Sequence, residues 1–209
     1  MKSFKISIVT FLLLVFLSGF GQTKHKIADT TFVDVSGLET SFILDLKYAT
    51  KDNFLNESVY DCGKCFLRYK TALALIAAQK ELLSMGYRIR LFDCYRPHDV
   101  QKKMYKLVPN PKFVAHPDKG SVHNRGGAVD LTLETLEGIV LDMGSAFDHF
   151  GPESSTHYTH LSNEVLQNRK LLLEVMKKHG FDPINSEWWH FNFRQNSKDS
   201  VSNFKWDCD

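Results

Sequence analysis

Several stretches of the chain alternate apolar and polar positions with a period of two, which sends successive side chains to opposite faces of a strand. Thr31 to Val35, Phe42 to Tyr48 and Tyr87 to Asp93 carry this pattern. In Ala128 to Leu133, Val129, Leu131 and Leu133 point one way, and Ala128, Asp130 and Thr132 the other. Trp188 to Phe193 reads as an aromatic strand. Helical spacing replaces alternation from Leu67 to Met85, where Leu73, Leu75, Ile76, Ala77, Leu82 and Leu83 form a stripe and Gly86 suits the position after the last turn. A shorter helix is predicted from Pro97 to about Leu107. A third runs from Asn163 to His179, with Ser162 as its cap, Glu164 in its first turn and Gly180 beyond its end. Residues 108 to 126, punctuated by Pro109, Pro111, Pro117, Gly120 and Gly126, read as a long surface loop, and long loops in compact domains are more often functional than idle. Strands and helices come in unequal clusters rather than a βαβ series. The expected fold is therefore α+β, with a mainly antiparallel central sheet flanked by helices and a cleft on the sheet.

The N-terminus departs from these periods. Lys2 and Lys5 precede an apolar run from Ile6 to Phe20, followed by Gly19, Gly21 and then Gln22. This is the layout of a secretory signal cleaved after Gly21. An uncleaved anchor is the alternative, but the run is shorter than the ~20 residues a bilayer span requires. Residues 1–21 are thus read as a signal peptide and 22–209 as a single domain of a periplasmic or secreted protein. No stable membrane association is expected after cleavage. The 209 residues, 43% hydrophobic, suffice for one sizeable core. A formal net charge of +2 with both signs well mixed argues against a nucleic-acid partner. In an exported protein the four cysteines at 62, 65, 94 and 208 can form disulfides. Cys62 and Cys65 could be a redox pair, half a zinc knuckle or a local bridge. The expectation adopted is structural, Cys62 with Cys65 and Cys94 with Cys208.

Two segments concentrate candidate chemistry, Ser121-Val-His123-Asn-Arg-Gly-Gly-Ala-Val-Asp130 and Glu187-Trp-Trp-His190. A catalytic zinc site needs three N or O ligands and an open position. His123, Asp130 and His190 supply such a set, and Gly126 and Gly127 would let the chain turn so that loop and strand converge. Glu187 and His190 lie three apart, so the chain between them must bend if both serve one site. Singly, each residue has a duller reading, as a structural histidine or a turn-capping carboxylate. His157-Tyr-Thr-His160 lacks the glutamate of a zinc-binding helix and is read as surface. His116 could sit at a cleft mouth.

These segments, with Asp45-Leu-Lys-Tyr48-Ala-Thr-Lys-Asp-Asn53-Phe, Asp93-Cys-Tyr95-Arg96-Pro97 and Met143-Gly-Ser-x-Phe-Asp148, resemble the zinc D-alanyl-D-alanine dipeptidases in order and across nearly the whole mature chain. The resemblance implies one zinc ion per chain on His123, Asp130 and His190. It implies Glu187 as general base and Arg96 as oxyanion partner, with Asp148, Tyr48 and Ser121 around the ammonium of a small dipeptide substrate. The leader and Cys94 are departures from the resistance enzymes, and the leader favours peptidoglycan turnover or salvage over antibiotic resistance. Two rivals stay open, a D,D- or L,D-carboxypeptidase or wall endopeptidase of the same superfamily, and a non-catalytic zinc-containing module. Oligomeric state is left open.

Overall fold

The computed structural model describes residues 26–208 except 112, 197 and 198, so the leader read at 1–21 lies outside the described residues. Among the described residues, seven strands and three α-helices follow one another as β1 (Phe32–Asp34), β2 (Ile43–Leu44), β3 (Phe66–Arg68), α1 (Tyr69–Ser84), β4 (Tyr87–Asp93), α2 (His98–Leu107), β5 (Ala128–Thr135), α3 (Asn163–Lys178), β6 (Phe181–Pro183) and β7 (His190–Phe193). The central sheet has the order β2-β4-β5-β7-β6, and β1 pairs with β3 in a separate two-stranded ribbon. Three of the central pairings are antiparallel, while β2 lies parallel to β4, so the sheet is mixed rather than purely antiparallel. The fold is α+β.

Alternation along β5 divides the sheet into two faces. Val129, Leu131 and Leu133 enter the main core with Leu75 and Leu82 of α1 and Leu172, Val175 and Met176 of α3. Asp130, Thr132 and Glu134 lie on the opposite face, where Glu134 is paired with Arg88 and Arg90 of the neighbouring strand. One face of the sheet thus holds the helices, and the other is free to carry chemistry.

The predicted helices form, with shifts that have local causes. Phe66–Arg68 is a strand because it pairs with β1, so α1 starts at Tyr69 rather than Leu67. Leu73, placed in the apolar stripe by its sequence, is 47% exposed. Leu75, Ile76 and Leu82 of that stripe are buried, together with Thr71, Ala72, Ala78 and Gln79. Gln79 can lie among them because its amide is used at both ends: Oε1 accepts from Ile89 N at 2.8 Å and Nε2 donates to Ser41 O at 3.0 Å. Ser162 caps α3 as expected, its hydroxyl accepting from Val165 N.

The cysteines pair otherwise than expected. Cys62 is bonded to Cys208 and Cys65 to Cys94. β3 brings Cys65 beside the end of β4, with Tyr95 N donating to Phe66 O at 2.9 Å. Meanwhile the C-terminal segment folds back over β3, stacking Trp206 on Phe66 and Phe204 on Phe32. Proximity in space, not the short Cys62–Cys65 spacing, decides the pairing.

Candidate metal centre and active site

The sheet itself assembles the first part of the site. Asp93 of β4, Asp130 of β5 and His190 of β7 are register partners in one row across three strands. A bulge between Leu91 and Asp93 re-aims the end of β4. His123 arrives from a single 3-10 turn, His123–Arg125, that Gly126 ends at φ 71°. A side chain on Gly126 would press on Phe32 and come within 3.1 Å of Arg68 N, and one on Gly127 would overlap Asn196. Both glycines are therefore needed for the loop histidine to reach the strand carboxylate.

His123 Nε2 lies 3.1 Å from His190 Nδ1 and 3.4 Å from Asp130 Oδ1, while His190 Nδ1 lies 2.9 Å from Asp130 Oδ1. Tetrahedral ligands at zinc–nitrogen and zinc–oxygen lengths of ~2.0–2.2 Å are ~3.3 Å apart, so the spacing suits one ion. Proton positions follow from the outer partners. His123 Nδ1 faces the Cys94 carbonyl at 2.6 Å, which can only accept, so that nitrogen carries the hydrogen. His190 Nε2 lies 2.9 Å from Asn192 Oδ1. With their outer nitrogens so engaged, both rings turn the other nitrogen toward the Asp130 oxygen, an arrangement that suits a cation.

Electrostatics point the same way. Burial raises the Asp130 carboxyl, but His123 and His190 outweigh that and hold it well below the usual carboxylate range. Burial lowers the His190 imidazole, yet its bond to Asp130 leaves it above its ordinary value. Both shifts mark a place that favours positive charge. Among the described residues, His123, Asp130 and His190 are the one such group of potential ligands. His157 and His160 are exposed, with His157 on Asn185, and His116 packs on Tyr105 outside the cavity.

Glu187 precedes β7, and the turn through Trp188 and Trp189 supplies the bend that the three-residue spacing demands. Its Oε2 lies 3.9 Å from His190 Nδ1. Burial, aided by repulsion from Asp130, raises its pKa. Arg96 is buried. Its Nη2 and Nε donate to Asp93 Oδ2 at 2.7 and 3.2 Å, and its Nη1 donates to Gln101 Oε1 at 3.0 Å. The other Asp93 oxygen accepts from Tyr60 Oη at 2.7 Å. Burial works against the Arg96 charge, but Asp93 outweighs it, so the guanidinium stays cationic. This residue is not the surface salt bridge that a lone arginine most often makes.

Tyr48 Oη sits 3.1 Å from each oxygen of Asp148. Asp148 itself adopts φ 58°, a conformation uncommon outside glycine. Burial first, and the Asp130 charge second, push its pKa up to about 8. Ser121 accepts from Asn124 N through its hydroxyl at 3.3 Å. His123, Asp130, His190, Glu187, Arg96, Asp148, Tyr48 and Ser121 all line one cavity of about 360 Å³.

Sequence reasoning missed the residues that hold these in place: Asn192, Asp93, Gln101, Tyr60 and the Cys94 carbonyl. Asn192 was within reach, since it follows His190 by two positions on one strand and so shares its face. Gln101 and Tyr60 have no such signal.

Three ligand atoms converging beside the half-buried carboxylate of Glu187 and the buried guanidinium of Arg96 give the molecule the means to set a divalent cation against a carbonyl, and they define it as a metallopeptidase. A family model described as D-Ala-D-Ala dipeptidase, peptidase M15, matches residues 28–206. The chain is 35% identical over 170 residues to the D-alanyl-D-alanine dipeptidase of Escherichia coli K12, covering 80% of this chain and 88% of that one. It is 33% identical over 173 residues to the D-alanyl-D-alanine dipeptidase of Enterococcus faecium, covering 72% and 85%. A solved vancomycin-resistance D,D-pentapeptidase in complex with Zn(II) aligns with TM-score 0.41 at 17% identity, over 62% of this chain and 74% of that one. The chain belongs to the D-Ala-D-Ala dipeptidase family of the M15 peptidases.

Proposed function

We propose that this protein hydrolyses D-alanyl-D-alanine, with one zinc ion per chain on His123, Asp130 and His190, in an exported role in peptidoglycan turnover or salvage. The observation that carries the reading is a single cavity with a cation-seeking triad and a separate half-buried acid, Asp148, set apart from it. His123, Asp130 and His190 would hold the zinc, which would supply a water of lowered pKa and a Lewis acid for the scissile carbonyl. Glu187, its basicity raised by burial, takes the proton of the attacking water and delivers it to the leaving amine. Arg96, clamped by Asp93 and Gln101, turns a permanent cation toward the oxygen on which negative charge develops. Asp148 receives the substrate ammonium, with Tyr48 fixing both carboxylate oxygens and Ser121 nearby. A free ammonium returns to Asp148 the charge that burial disfavours, whereas a longer peptide offers a neutral amide there. That difference makes the site one for dipeptides.

Export is supported by the basic and apolar pattern of residues 1–21 and by two disulfides, which persist in oxidising compartments. No helix among the described residues is long and apolar enough to cross a membrane. The test is a panel of L,L, L,D and D,D dipeptides with D-Ala-D-Ala and a pentapeptide, assayed with and without a chelator. Chelator-sensitive turnover confined to free dipeptides, highest for D-Ala-D-Ala, is expected. Equal or faster cleavage of the pentapeptide would move the protein to the carboxypeptidases.

A further inference from the structure

The amino-end pocket is closed by a wall of aromatic rings for which the chemistry above has no use. Phe113, from the long loop after α2, and Phe150, two residues beyond Asp148, meet with ring centroids 4.1 Å apart. Both also line the cavity of the metal triad. Phe113 is 39% and Phe150 45% exposed, so the pair faces solvent on one side and the cavity on the other. Large apolar rings left in that position want a reason other than core packing.

The wall is braced from behind. Phe150 meets Phe54 edge-on at 5.1 Å and 89°, and Phe54 meets Tyr48 edge-on at 6.3 Å and 81°. Tyr48 is in turn bonded to Asp148. A row of four rings therefore runs from the acid's phenol partner to the rim. The left-handed turn at Asp148 sets the acid and Phe150 on the cavity side, while His149 between them is exposed and bonded to Glu153.

Resting on the function proposed above, we infer that Phe113 and Phe150 form a steric clasp that sets the size of the amino-terminal residue this enzyme accepts. A substrate whose ammonium sits on Asp148 carries its first side chain from the adjacent carbon, beside Phe150. A methyl fits there, and a branched side chain must displace a ring held by its neighbours. Asp148 reads charge and the clasp reads volume, so the two are separable.

D-Leu-D-Ala keeps both terminal charges and enlarges only the first side chain. The experiment compares kcat/KM for D-Ala-D-Ala and D-Leu-D-Ala in the full-length zinc-loaded enzyme, in Phe113→Ala, Phe150→Ala and the double variant. Wild type should prefer D-Ala-D-Ala by about 10-fold or more, the scale on which a few methylenes are discriminated in an apolar pocket. The variants should reduce that preference about 10-fold or more, chiefly by accelerating D-Leu-D-Ala, with zinc content unchanged. Phe113→Leu and Phe150→Leu, which keep an apolar side chain, guard against loss of fold and should give smaller shifts in the same direction. An unchanged preference in folded variants overturns the clasp, as does a wild type that takes both substrates equally. A wild type inert toward D-Ala-D-Ala instead overturns the function on which the clasp rests.

Discussion

At the scale of single residues, the site separates groups that hold the cation from groups that move protons or bind charge. Glu187 lies near the triad without being one of its three converging ligands. Glu187→Gln should therefore lower kcat by about 10²–10⁴-fold, the usual worth of a positioned acid–base group, with zinc content by elemental analysis unaltered. Loss of zinc in that variant would make Glu187 a ligand. Asp148 makes a prediction about pH. Its pKa is raised by burial and by Asp130, with Tyr48, Arg96 and Glu187 also acting on it, to about 8. The folded state then binds a proton that the unfolded chain releases near ~4, so its stabilising contribution is complete below ~4 and is lost as pH rises through about 8. Asp148→Asn cannot ionise. Measured by thermal melting in chelator-treated protein, the melting temperature of the variant minus that of wild type should grow from pH 5 to pH 9, while dipeptide turnover collapses. A constant difference across that range would show that Asp148 is not held protonated.

At the scale of elements, three strands and one tight turn place the site, and legibility in the sequence follows the same division. Alternation identified β4 and β5, the run of aromatic residues identified β7, and the polar side of β5 located Asp130. Helix caps at Ser162 and Gly180 were readable because capping is local. Cross-strand register is not local, so the row of Asp93, Asp130 and His190 could not be read, and with it the clamp of Asp93 on Arg96. β3 and β6, three residues each, were hidden because their strand identity comes from a partner rather than from their own pattern. The glycine turn before β5 carries a prediction of its own. Gly126→Ala forces a side chain onto a left-handed backbone and against Arg68 N, a strain of about 1–3 kcal/mol. Thermal melting should fall accordingly, and zinc should be lost to a competing chelator faster than from wild type, because the turn that aims His123 is disturbed. Wild-type zinc retention would separate the turn from the metal site.

At the scale of the whole molecule, the C-terminal segment works as a strap across the back of the site. Ser202 N donates to Asn124 O at 2.8 Å, beside His123, and Arg125 Nη1 donates to Asp199 O at 2.6 Å. The Cys62–Cys208 bridge fixes this strap to the body across 146 residues of chain. Cys208→Ser should therefore cost about 2–5 kcal/mol of stability, the range for loss of a native bridge closing a long loop, seen as a lower denaturant midpoint. An unchanged midpoint would mean that the strap holds by its rings alone. Pairing of the cysteines was illegible for the same reason as strand register, since nothing near Cys62 or Cys65 records where residue 208 returns.

The most direct trial of the metal centre is to strip the purified enzyme with a chelator and add Zn2+ back in steps, measuring D-alanine released from D-Ala-D-Ala. Release should begin near zero, climb in proportion to added metal and level off at one equivalent per chain. Undiminished release from stripped protein, or none at any level of zinc, would contradict a catalytic site built on His123, Asp130 and His190.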